Sequence, residues 1–304
     1  MWDVIIIGGG PAGLTSGVYC ARKQLKTLVL ATTIGGQVAE SSVVENYLGY
    51  NHIDGVDLAE KFKNHLTEYT VKLEEGVFVE KVEKKKGKFL VHVKGLAKSY
   101  SSKSVIIATG AKHRLLGVPG ESKFLNKGVV FCAWCDAPLF KDKVVAVVGG
   151  GNSGLEAAVF LEKIAKKIFL VNITGKLTGD KSLIKKVVKS SKIDVLNNTK
   201  TLEVVGDSFV SGLIVKDLKK DKNHKLEVSG VFVEVGMSPV TSFVKGLVKL
   251  NKRGEILINE RCETSVPGLF SAGDCSSIPF KQIVIAAGEG AKAGVNCGMY
   301  LDKL

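Results

Sequence analysis

The residues Val4-Ile-Ile-Ile-Gly-Gly-Gly-Pro-Ala-Gly13 form an apolar run that ends in closely spaced glycines. The segment Leu14 to Arg22 has the pattern of a following helix, and Thr27 to Leu30 has that of the next strand. In such a turn the first glycine permits a tight bend, the second lets the backbone approach a pyrophosphate, and the third lets helix and strand pack closely. The pattern therefore predicts a nucleotide-binding β-α-β unit. Its predicted binding residues are Gly8, Gly10 and Gly13.

The same pattern occurs again in the middle of the chain. Val144 to Val148 is an apolar strand, Gly149-Gly-Gly-Asn-Ser-Gly154 is the turn, and Leu155 to Ile164 is the helix. One such turn is a weak signal because glycine turns also arise for steric reasons, but two copies in this context are specific. In both copies the helix N-terminus offers free amides and a favourable dipole to an anion. The second copy predicts binding by Gly149, Gly151 and Gly154.

Two segments with strand-like alternation follow these units. Val77 to Val93 is broken at Lys86-Gly87, and Thr201 to Val228 is broken near Asp221 to Asn223, which predicts antiparallel hairpins. Together the patterns predict an α/β fold with two Rossmann-like nucleotide-binding domains, each built of three layers in the ββα arrangement.

The order of the segments indicates that the second domain is inserted into the first. Val105 to Gly110 and Gly268 to Asp274 both have the pattern of short buried strands that end at a glycine turn, where parallel sheets bind ligands. The whole second unit lies between them. We therefore expect residues 1–113 and 242–304 to form one domain and residues 114–241 to form the other.

Composition excludes several classes of protein. With 304 residues, 45% of them hydrophobic, the chain is large enough for two ordinary cores. The net charge is +13, but there are four arginines and the lysines are spread over every region, whereas nucleic-acid binders concentrate positive charge on one element. We expect no nucleic-acid partner, although a basic surface would speed encounter with an acidic protein. The apolar runs are too short for a membrane span, and Met1 to Gly8 lacks a signal-peptide pattern, which predicts a cytoplasmic protein without membrane contact.

The six cysteines include one closely spaced pair, in Cys132-Ala-Trp-Cys135-Asp136. A single pair does not make a secreted disulfide framework. Two cysteines separated by two residues close a disulfide with little backbone movement, and a helix N-terminus or a nearby charge lowers the pKa of their thiols, so the pair is suited to carrying two electrons. A zinc half-site is the alternative, but no second pair and no paired histidines complete four ligands. We therefore predict a redox dithiol and no metal site.

The ordered motifs of the chain resemble those of low-molecular-weight thioredoxin reductases, from about Val4 to Leu301. Besides the glycine turns and the dithiol, the matching motifs are Gly35-Gly36-Gln37, Glu45-Asn46-Tyr47, Ala108-Thr109-Gly110 and Ala272-Gly273-Asp274. Within that superfamily the chain is most similar to the reductase portion of alkyl hydroperoxide reductase flavoproteins. This likeness is carried by Gly149 to Ala158, Arg261 to Gly268, and Gly273-Asp-Cys275 with Lys281-Gln-Ile283.

The resemblance implies FAD in the first domain. By family position Gly8, Gly10 and Gly13 hold its pyrophosphate, and Asp274 binds its ribityl chain. The residues that the resemblance assigns to the flavin region are Gln37, Asn46 and Gln282. An alternative for Gln37 and Asn46 is that they stabilise their turn-like loops. The resemblance also implies a nicotinamide nucleotide at the second glycine turn, and a homodimer.

The position of the dithiol in the inserted domain separates this family from lipoamide-dehydrogenase-like enzymes, which carry their cysteines in the FAD domain. Nicotinamide and disulfide then share access to one flavin face, and rotation of the inserted domain about its two crossings would let them alternate. By family position Cys135 is the flavin-side thiol, Cys132 attacks the substrate disulfide, and Asp136 is the acid-base group. Capping of the turn is the alternative role for Asp136. The implied electron acceptor is a separate thioredoxin- or glutaredoxin-like protein.

The electron donor is where the chain departs most from the family pattern. NADPH-dependent members carry a His-Arg-Arg run after the second strand of the inserted domain, where guanidinium groups grip the 2′-phosphate. This chain has Asn172-Ile-Thr-Gly-Lys176 there, and Asn172 can hydrogen-bond the ribose hydroxyls. We therefore predict NADH rather than NADPH. A phosphate held by Lys176, or a donor other than a nicotinamide, are the alternatives.

The dithiol segment departs from the family as well, in Trp134 and in Ala137-Pro138. Proline cannot donate to a continuing helix, so a helix that begins at the dithiol must be short or restart at Pro138. Two other functions remain open: a small-molecule dithiol oxidase that uses oxygen, and a redox-sensing flavoprotein without activity. The intact dithiol beside Asp136 argues against the second, and the lack of a small-molecule pocket motif leaves the first with less support.

Overall fold

The chain forms two compact units in a computed structural model that describes residues 1–41, 43–96 and 99–304. The first unit consists of Met1–Lys112 together with Ser238–Leu304, and the second consists of His113–Met237. The second unit is therefore an insertion into the first.

Seven α-helices are formed by the described residues. In chain order they are α1 (Pro11–Arg22), α2 (Gln37–Glu40), α3 (Gly55–Thr67), α4 (Ala133–Asp136), α5 (Asn152–Leu161), α6 (Lys181–Lys189) and α7 (Ile283–Leu301). Short 3-10 helices cover Ala137–Phe140 and Ser242–Val244. None of the helices in this part of the chain combines the length and the apolar character that a membrane crossing requires.

The same residues form nineteen β-strands, several of them only two or three residues long. In chain order they are β1 (Trp2–Gly9), β2 (Thr27–Ile34), β3 (Val43–Val44), β4 (Ile53–Asp54), β5 (Lys72–Glu75), β6 (Val79–Lys85), β7 (Lys88–Val93), β8 (Tyr100–Ile107), β9 (Ala111–His113), β10 (Val129–Val130), β11 (Val144–Val148), β12 (Lys167–Asn172), β13 (Ile193–Asn197), β14 (Thr199–Gly206), β15 (Val210–Asp217), β16 (Lys222–Leu226), β17 (Gly230–Val233), β18 (Met237–Pro239) and β19 (Leu269–Ser271).

The first unit is built on a seven-stranded sheet with the order β5-β2-β1-β8-β7-β6, in which β19 also pairs with β8. Strands β1, β2, β5, β8 and β19 are parallel, and β6 and β7 form an antiparallel hairpin. Val4 and Ile6 of β1 pack in the core formed with α1 and α7, and Ile5 and Ile7 pack in the core formed with the hairpin. Because both faces are covered, the strand is apolar throughout.

The second unit repeats this arrangement with a five-stranded parallel sheet in the order β10-β17-β11-β12-β13. Val145 and Val147 of β11 pack in the core formed with α5 and α6. Ala146 and Val148 pack in the core formed with the antiparallel sheet β14-β15-β16. Burying each such valine contributes about 1.5–3 kcal/mol. The predicted α/β class, with two three-layer Rossmann-like folds and the second inserted into the first, is confirmed.

The two predicted hairpins have different outcomes. The first is found as β6 and β7, joined at Lys86-Gly87, where both residues have positive φ angles. The second segment is a three-stranded meander: besides the break at residues 218–221, an additional turn at residues 207–209 separates β14 from β15. Asp207 and Ser208 have short polar side chains that favour turns, but the apolar alternation on both sides of them hides this break in the sequence.

Candidate active site

The first glycine turn joins β1 to α1. Gly8 has a φ of 124°, and a Cβ built on it would lie 2.1 Å from the Ala108 carbonyl oxygen. A Cβ on Gly13 would lie 2.0 Å from the Gly8 oxygen, so strand and helix meet without room for a side chain. Gly10 is the N-cap of α1, and the nearest atom to its Cβ would be the Gly35 oxygen at 3.9 Å. The turn is thus closed at its outer glycines and open at Gly10, next to the free amides of α1.

The second glycine turn joins β11 to α5 with the same geometry. Gly149 has a φ of 141°, and its Cβ would lie 2.3 Å from the Glu234 carbonyl oxygen. A Cβ on Gly154 would lie 2.0 Å from the Gly149 oxygen. Gly151 is the N-cap of α5 and is open, since the nearest atom to its Cβ would be the Thr178 Oγ1 at 3.9 Å. Each turn therefore leaves space only at the glycine that the sequence pattern assigns to the approach of a pyrophosphate.

The side chains predicted for the flavin region lie at helix ends and loops of the first unit. Gln37 begins α2, and its Nε2 donates to the Ala111 carbonyl oxygen at 2.8 Å. The Asn46 Nδ2 donates to the Gln282 Oε1 at 3.1 Å, and Gln282 is the N-cap of α7. Asn46 and Gln282 are 236 residues apart in sequence, so the fold alone brings them together.

Asp274 follows a tight turn at the end of β19. Gly273 in that turn has a φ of 74°, and its Cβ would lie 3.0 Å from the Cβ of Ala12 in α1. Burial raises the pKa of the Asp274 carboxyl, nearby Lys281 lowers it, and Glu255 raises it. The Lys281 Nζ is paired with the Glu255 Oε1 at 3.2 Å. The sequence pattern identified Asp274 but gave no sign of this ion pair, since Glu255 lies in a loop remote from it along the chain.

The two cysteines of the dithiol form a disulfide at the start of α4. Cys132 is the N-cap of this helix, and its sulfur accepts a hydrogen bond from the Cys135 N–H at 3.2 Å. The Asp136 N–H donates to the Cys132 carbonyl oxygen at 3.0 Å, which closes the turn. The helix ends at Asp136, and a 3-10 helix with Pro138 in its first turn follows, in agreement with the restriction that proline imposes.

The Asp136 carboxyl is the group of the dithiol turn best suited to transfer protons. Burial raises the pKa of its carboxyl to about 6, and a backbone hydrogen bond from Cys132 acts in the opposite direction. A carboxyl with such a pKa gains and loses protons near neutral pH, as general acid-base catalysis requires. The short helix and its N-cap therefore hold a disulfide and a titratable acid within five residues.

Trp134, between the two cysteines, is 57% exposed and packs on Phe160 of α5, with the ring centroids 4.1 Å apart. The two rings belong to a mainly apolar groove of about 240 Å³ in the second unit. The side chains that line this groove are Trp134, Glu156, Val159, Phe160, Lys163 and Leu183. The groove is thus bounded by Trp134 of the dithiol turn and by side chains of α5, α6 and the residues that follow α5.

Asn172 ends β12 and is held by its own loop. Its Nδ2 donates to the Thr174 carbonyl oxygen at 2.9 Å and to the Asn197 Oδ1 at 2.8 Å. Its Oδ1 accepts from the Thr174 Oγ1 at 3.1 Å and lies so near Gly150 that a Cβ there would be 2.3 Å away. Asn172 therefore shapes the loop beside the second glycine turn, while Lys176 of the same loop is exposed.

Glu234 is a functional candidate that lies outside the sequence motifs. It directly follows β17, and burial raises the pKa of its carboxyl to about 8. The signal in the sequence is a single acid at the end of the buried run Val231-Phe-Val, where ligands of parallel sheets bind. Among the described residues, no group of three or more His, Cys, Asp or Glu side chains is arranged to hold a metal ion.

Comparison with known proteins gives a consistent result. Residues 2–290 match the family model described as pyridine nucleotide-disulphide oxidoreductase. Over 298 residues the chain is 42% identical to a subunit of alkyl hydroperoxide reductase of Pseudomonas aeruginosa, and the match covers 97% of this chain and 57% of that protein. The chain therefore spans little more than half the length of this curated relative.

Solved structures with the same fold extend over the whole chain. Thioredoxin reductase from Streptococcus pyogenes matches with a TM-score of 0.93 at 37% identity, covering 100% of this chain and 99% of the other. Thioredoxin reductase from Giardia duodenalis matches with a TM-score of 0.92 at 34% identity, covering 99% of each chain. The resemblance inferred from the order of the motifs is confirmed. Both the family match and these likenesses show that the chain belongs to the pyridine nucleotide-disulphide oxidoreductase family.

Proposed function

We propose that this chain is an FAD-dependent disulfide reductase that passes electrons from NADH through Cys132 and Cys135 to a thioredoxin- or glutaredoxin-like protein. The observation that carries the proposal is the disulfide at the cap of α4, with a titratable Asp136 at the other end of the same turn. Family membership implies FAD and a nicotinamide cofactor. Homodimer formation and a cytoplasmic location stay predictions from the resemblance and the sequence.

The residues of the first unit fit FAD. Gly10 leaves space for a pyrophosphate at the free amides of α1, and the half-buried Asp274 offers a carboxylate close to the same turn through the contact between Gly273 and Ala12. Asn46 and Gln282 supply amide groups at the start of α7. When bound, FAD supplies the step between hydride transfer from a nicotinamide and two-electron reduction of a disulfide.

The second glycine turn is the proposed site for the nicotinamide nucleotide. Gly151 is open at the free amides of α5, as Gly10 is at those of α1. The loop after β12 contains no arginine, and a 2′-phosphate is usually held by guanidinium groups. The preference for NADH rests on this lack of arginine more than on Asn172, whose hydrogen bonds serve its own loop.

The chemistry of the dithiol follows from its turn. In the reduced protein the Cys132 thiolate attacks one sulfur of the partner disulfide, and the other partner sulfur leaves with a proton. Cys135 then attacks Cys132, restores the internal disulfide and releases the second partner sulfur, which also takes a proton. Asp136 is the proposed group that accepts and supplies these protons, because its carboxyl titrates near neutral pH.

A protein partner is favoured by the groove that begins at Trp134. Exposed aromatic residues that line an apolar groove are typical anchors of protein interfaces. The relatives named above are thioredoxin reductases and a subunit of alkyl hydroperoxide reductase, so a small protein with a redox disulfide is the proposed acceptor.

The experiment that tests the function is stopped-flow reduction of the bound flavin by NADH or NADPH, followed by counting of the thiols formed. We expect NADH to bleach the flavin faster than NADPH and to produce two new thiols per chain at Cys132 and Cys135. The Cys132→Ser variant should keep flavin bleaching and lose transfer to a disulfide protein. A Cys297→Ala variant, at a buried cysteine without a proposed role, is the matched control.

Four outcomes decide between the candidate functions. If NADH does not bleach the flavin, NADH is not the donor. If NADPH bleaches the flavin as fast as NADH does, the proposed preference for NADH over NADPH is wrong. If the flavin is bleached but no new thiols form at Cys132 and Cys135, the proposed reductase function is wrong. Release of hydrogen peroxide on addition of small dithiols, without NADH, supports the oxidase instead. A Cys135→Ser variant should retain its partner as a mixed disulfide on Cys132 and so identify it.

A further inference from the structure

Glu234 lies between the two reactive turns of the second unit. Strand β17 is flanked by β10 on one side and β11 on the other, and all three run parallel, so they end at the same edge of the sheet. After this edge β10 continues to Cys132, β11 continues to Gly149, and β17 continues to Glu234. The Glu234 N–H donates to the Val148 oxygen at 2.8 Å, which fixes its backbone against β11.

The Glu234 side chain reaches the turn that holds the disulfide. The pairing of β10 with β17 joins Val130 to Phe232, so Cys132 and Glu234, each two residues further on, lie at the same level of this edge. The Ala133 amide lowers the pKa of the Glu234 carboxyl and so acts against burial. The neighbouring Cys132 amide lowers the pKa of the Asp136 carboxyl in the same way. Two carboxyl groups therefore interact with consecutive amides at the start of α4. Since amides at a helix N-terminus stabilise a thiolate there, a charge that competes for them affects the thiol of Cys132.

The surroundings of Glu234 leave it poorly solvated. The adjacent strands β10 and β11 contain only valine and alanine, and Ala133 and Leu155 are buried on the face of the sheet that α4 and α5 cover. The charge of the Glu156 carboxyl on α5 is, after burial, the other influence that raises the Glu234 pKa. On α4 the ionisable groups are Asp136 and, once the disulfide is reduced, the two thiols.

We propose that Glu234 is a positioning residue of the dithiol, whose carboxyl group controls how readily the Cys132 thiol ionises. The proposal rests on the redox function proposed above for the Cys132–Cys135 pair. A protonated Glu234 is neutral and leaves the amides at the start of α4 available to a thiolate. An ionised Glu234 places a negative charge beside the Ala133 amide and disfavours a second negative charge on Cys132. Glu234 forms and breaks no bond to sulfur in this scheme.

The test is the rate at which iodoacetamide alkylates Cys132 as a function of pH, in a Cys135→Ser protein with and without Glu234→Gln. The rate reports the thiolate fraction, because the thiolate is the reacting form. Since the Glu234 pKa is about 8, both proteins should react alike at low pH, where Glu234 is protonated. As pH rises past the Glu234 pKa, while the Cys132 thiol is still incompletely ionised, the Glu234→Gln protein should react faster, by up to roughly 3- to 10-fold, the effect of removing a nearby like charge worth about half to one pKa unit. The two rates should converge again where the Cys132 thiol of both proteins is fully ionised.

A purely structural effect of glutamine would change the rate by the same factor at every pH. A constant ratio, including identical rates, therefore overturns the proposal. Glu156→Gln removes the like charge on α5 and so lowers the Glu234 pKa. With this substitution, the alkylation rates with and without Glu234→Gln should still diverge, but from a lower pH. If Glu234→Gln does not fold, the Cys135→Ser protein alone tests the proposal. Its alkylation rate plotted against pH should then fail to fit one ionisation of the Cys132 thiol, with the deviation near the Glu234 pKa.

This measurement needs neither nucleotide nor partner. Failure of the proposed function would be seen as flavin that NADH does not bleach, or as a disulfide that stays oxidised, whatever the alkylation profile. Failure of the role of Glu234 would be seen as a pH-independent ratio in a protein that still transfers electrons. The two failures are therefore distinguishable.

Discussion

Single residues determine where an anion can approach the chain. In the first glycine turn, Gly8 and Gly13 are required because their neighbours' oxygens occupy the place of a Cβ, and the same holds for Gly149 and Gly154 in the second turn. Gly10 differs from these positions, since the space beside it is open and its φ of −84° suits any residue. The methyl group of an alanine at position 10 would therefore change the free energy of unfolding little, but it would fill the space that a pyrophosphate needs.

We therefore expect Gly10→Ala to leave the thermal stability of the flavin-free protein unchanged and to weaken FAD binding by about tenfold or more, which corresponds to ~1.4 kcal/mol. Isothermal titration of the flavin-free protein with FAD measures the binding. The matched control is Gly13→Ala, which should lower the yield of folded protein because its methyl group would overlap the Gly8 oxygen. Unchanged FAD affinity in Gly10→Ala would place the pyrophosphate elsewhere.

Secondary structure elements show which features a sequence reveals and which it hides. The glycine turns and the dithiol were predictable because their geometry depends on neighbours along the chain. The contact between Asn46 and Gln282 depends on the fold, and the position of Glu234 depends on β17 lying between β10 and β11. In the loop after β12, the Asn172 amide donates to the Thr174 carbonyl oxygen and to the Asn197 Oδ1, contacts that the sequence does not reveal. Its binding of a ribose stays a prediction.

The short helix α4 and its neighbour α5 form the element to which a partner would bind. We expect Trp134→Ala to raise the KM for the disulfide protein by about tenfold, as for an aromatic interface anchor worth ~1.4 kcal/mol, because the groove loses one wall. The rate of flavin reduction by NADH should not change. Steady-state kinetics with the partner and stopped-flow without it measure the two effects.

The control for this prediction is Phe209→Ala, at a 68% exposed aromatic residue in the turn between β14 and β15. It removes a similar apolar surface from the same unit, and its KM should match that of the wild type. Equal effects of the two substitutions, or a slower flavin reduction in Trp134→Ala, would contradict a docking role for the groove.

At the scale of the whole molecule, we expect the net charge of +13 to increase the rate at which the protein associates with an acidic partner. Helix α6 illustrates its distribution, with four lysines and no acid in nine residues, next to the groove through Leu183. We expect kcat/KM for an acidic protein acceptor to fall as the ionic strength rises from about 20 to about 300 mM, because screening shortens the range of the attraction. Reduction by a neutral small disulfide should be insensitive to salt. A rate with the protein acceptor that does not depend on salt would exclude electrostatic steering.

The burial of the cysteines outside the dithiol protects their thiols from oxidation by peroxide. Cys20, Cys262, Cys275 and Cys297 are all fully buried, and burial together with Glu289 raises the pKa of the Cys262 thiol to about 12. Peroxide attacks thiolates that it can reach, and over-oxidation to sulfinic acid is irreversible for most proteins. Among the cysteines, an oxidant in solution therefore reaches the pair that closes into a disulfide, and under the proposed function this oxidised form is the one that NADH reduces again.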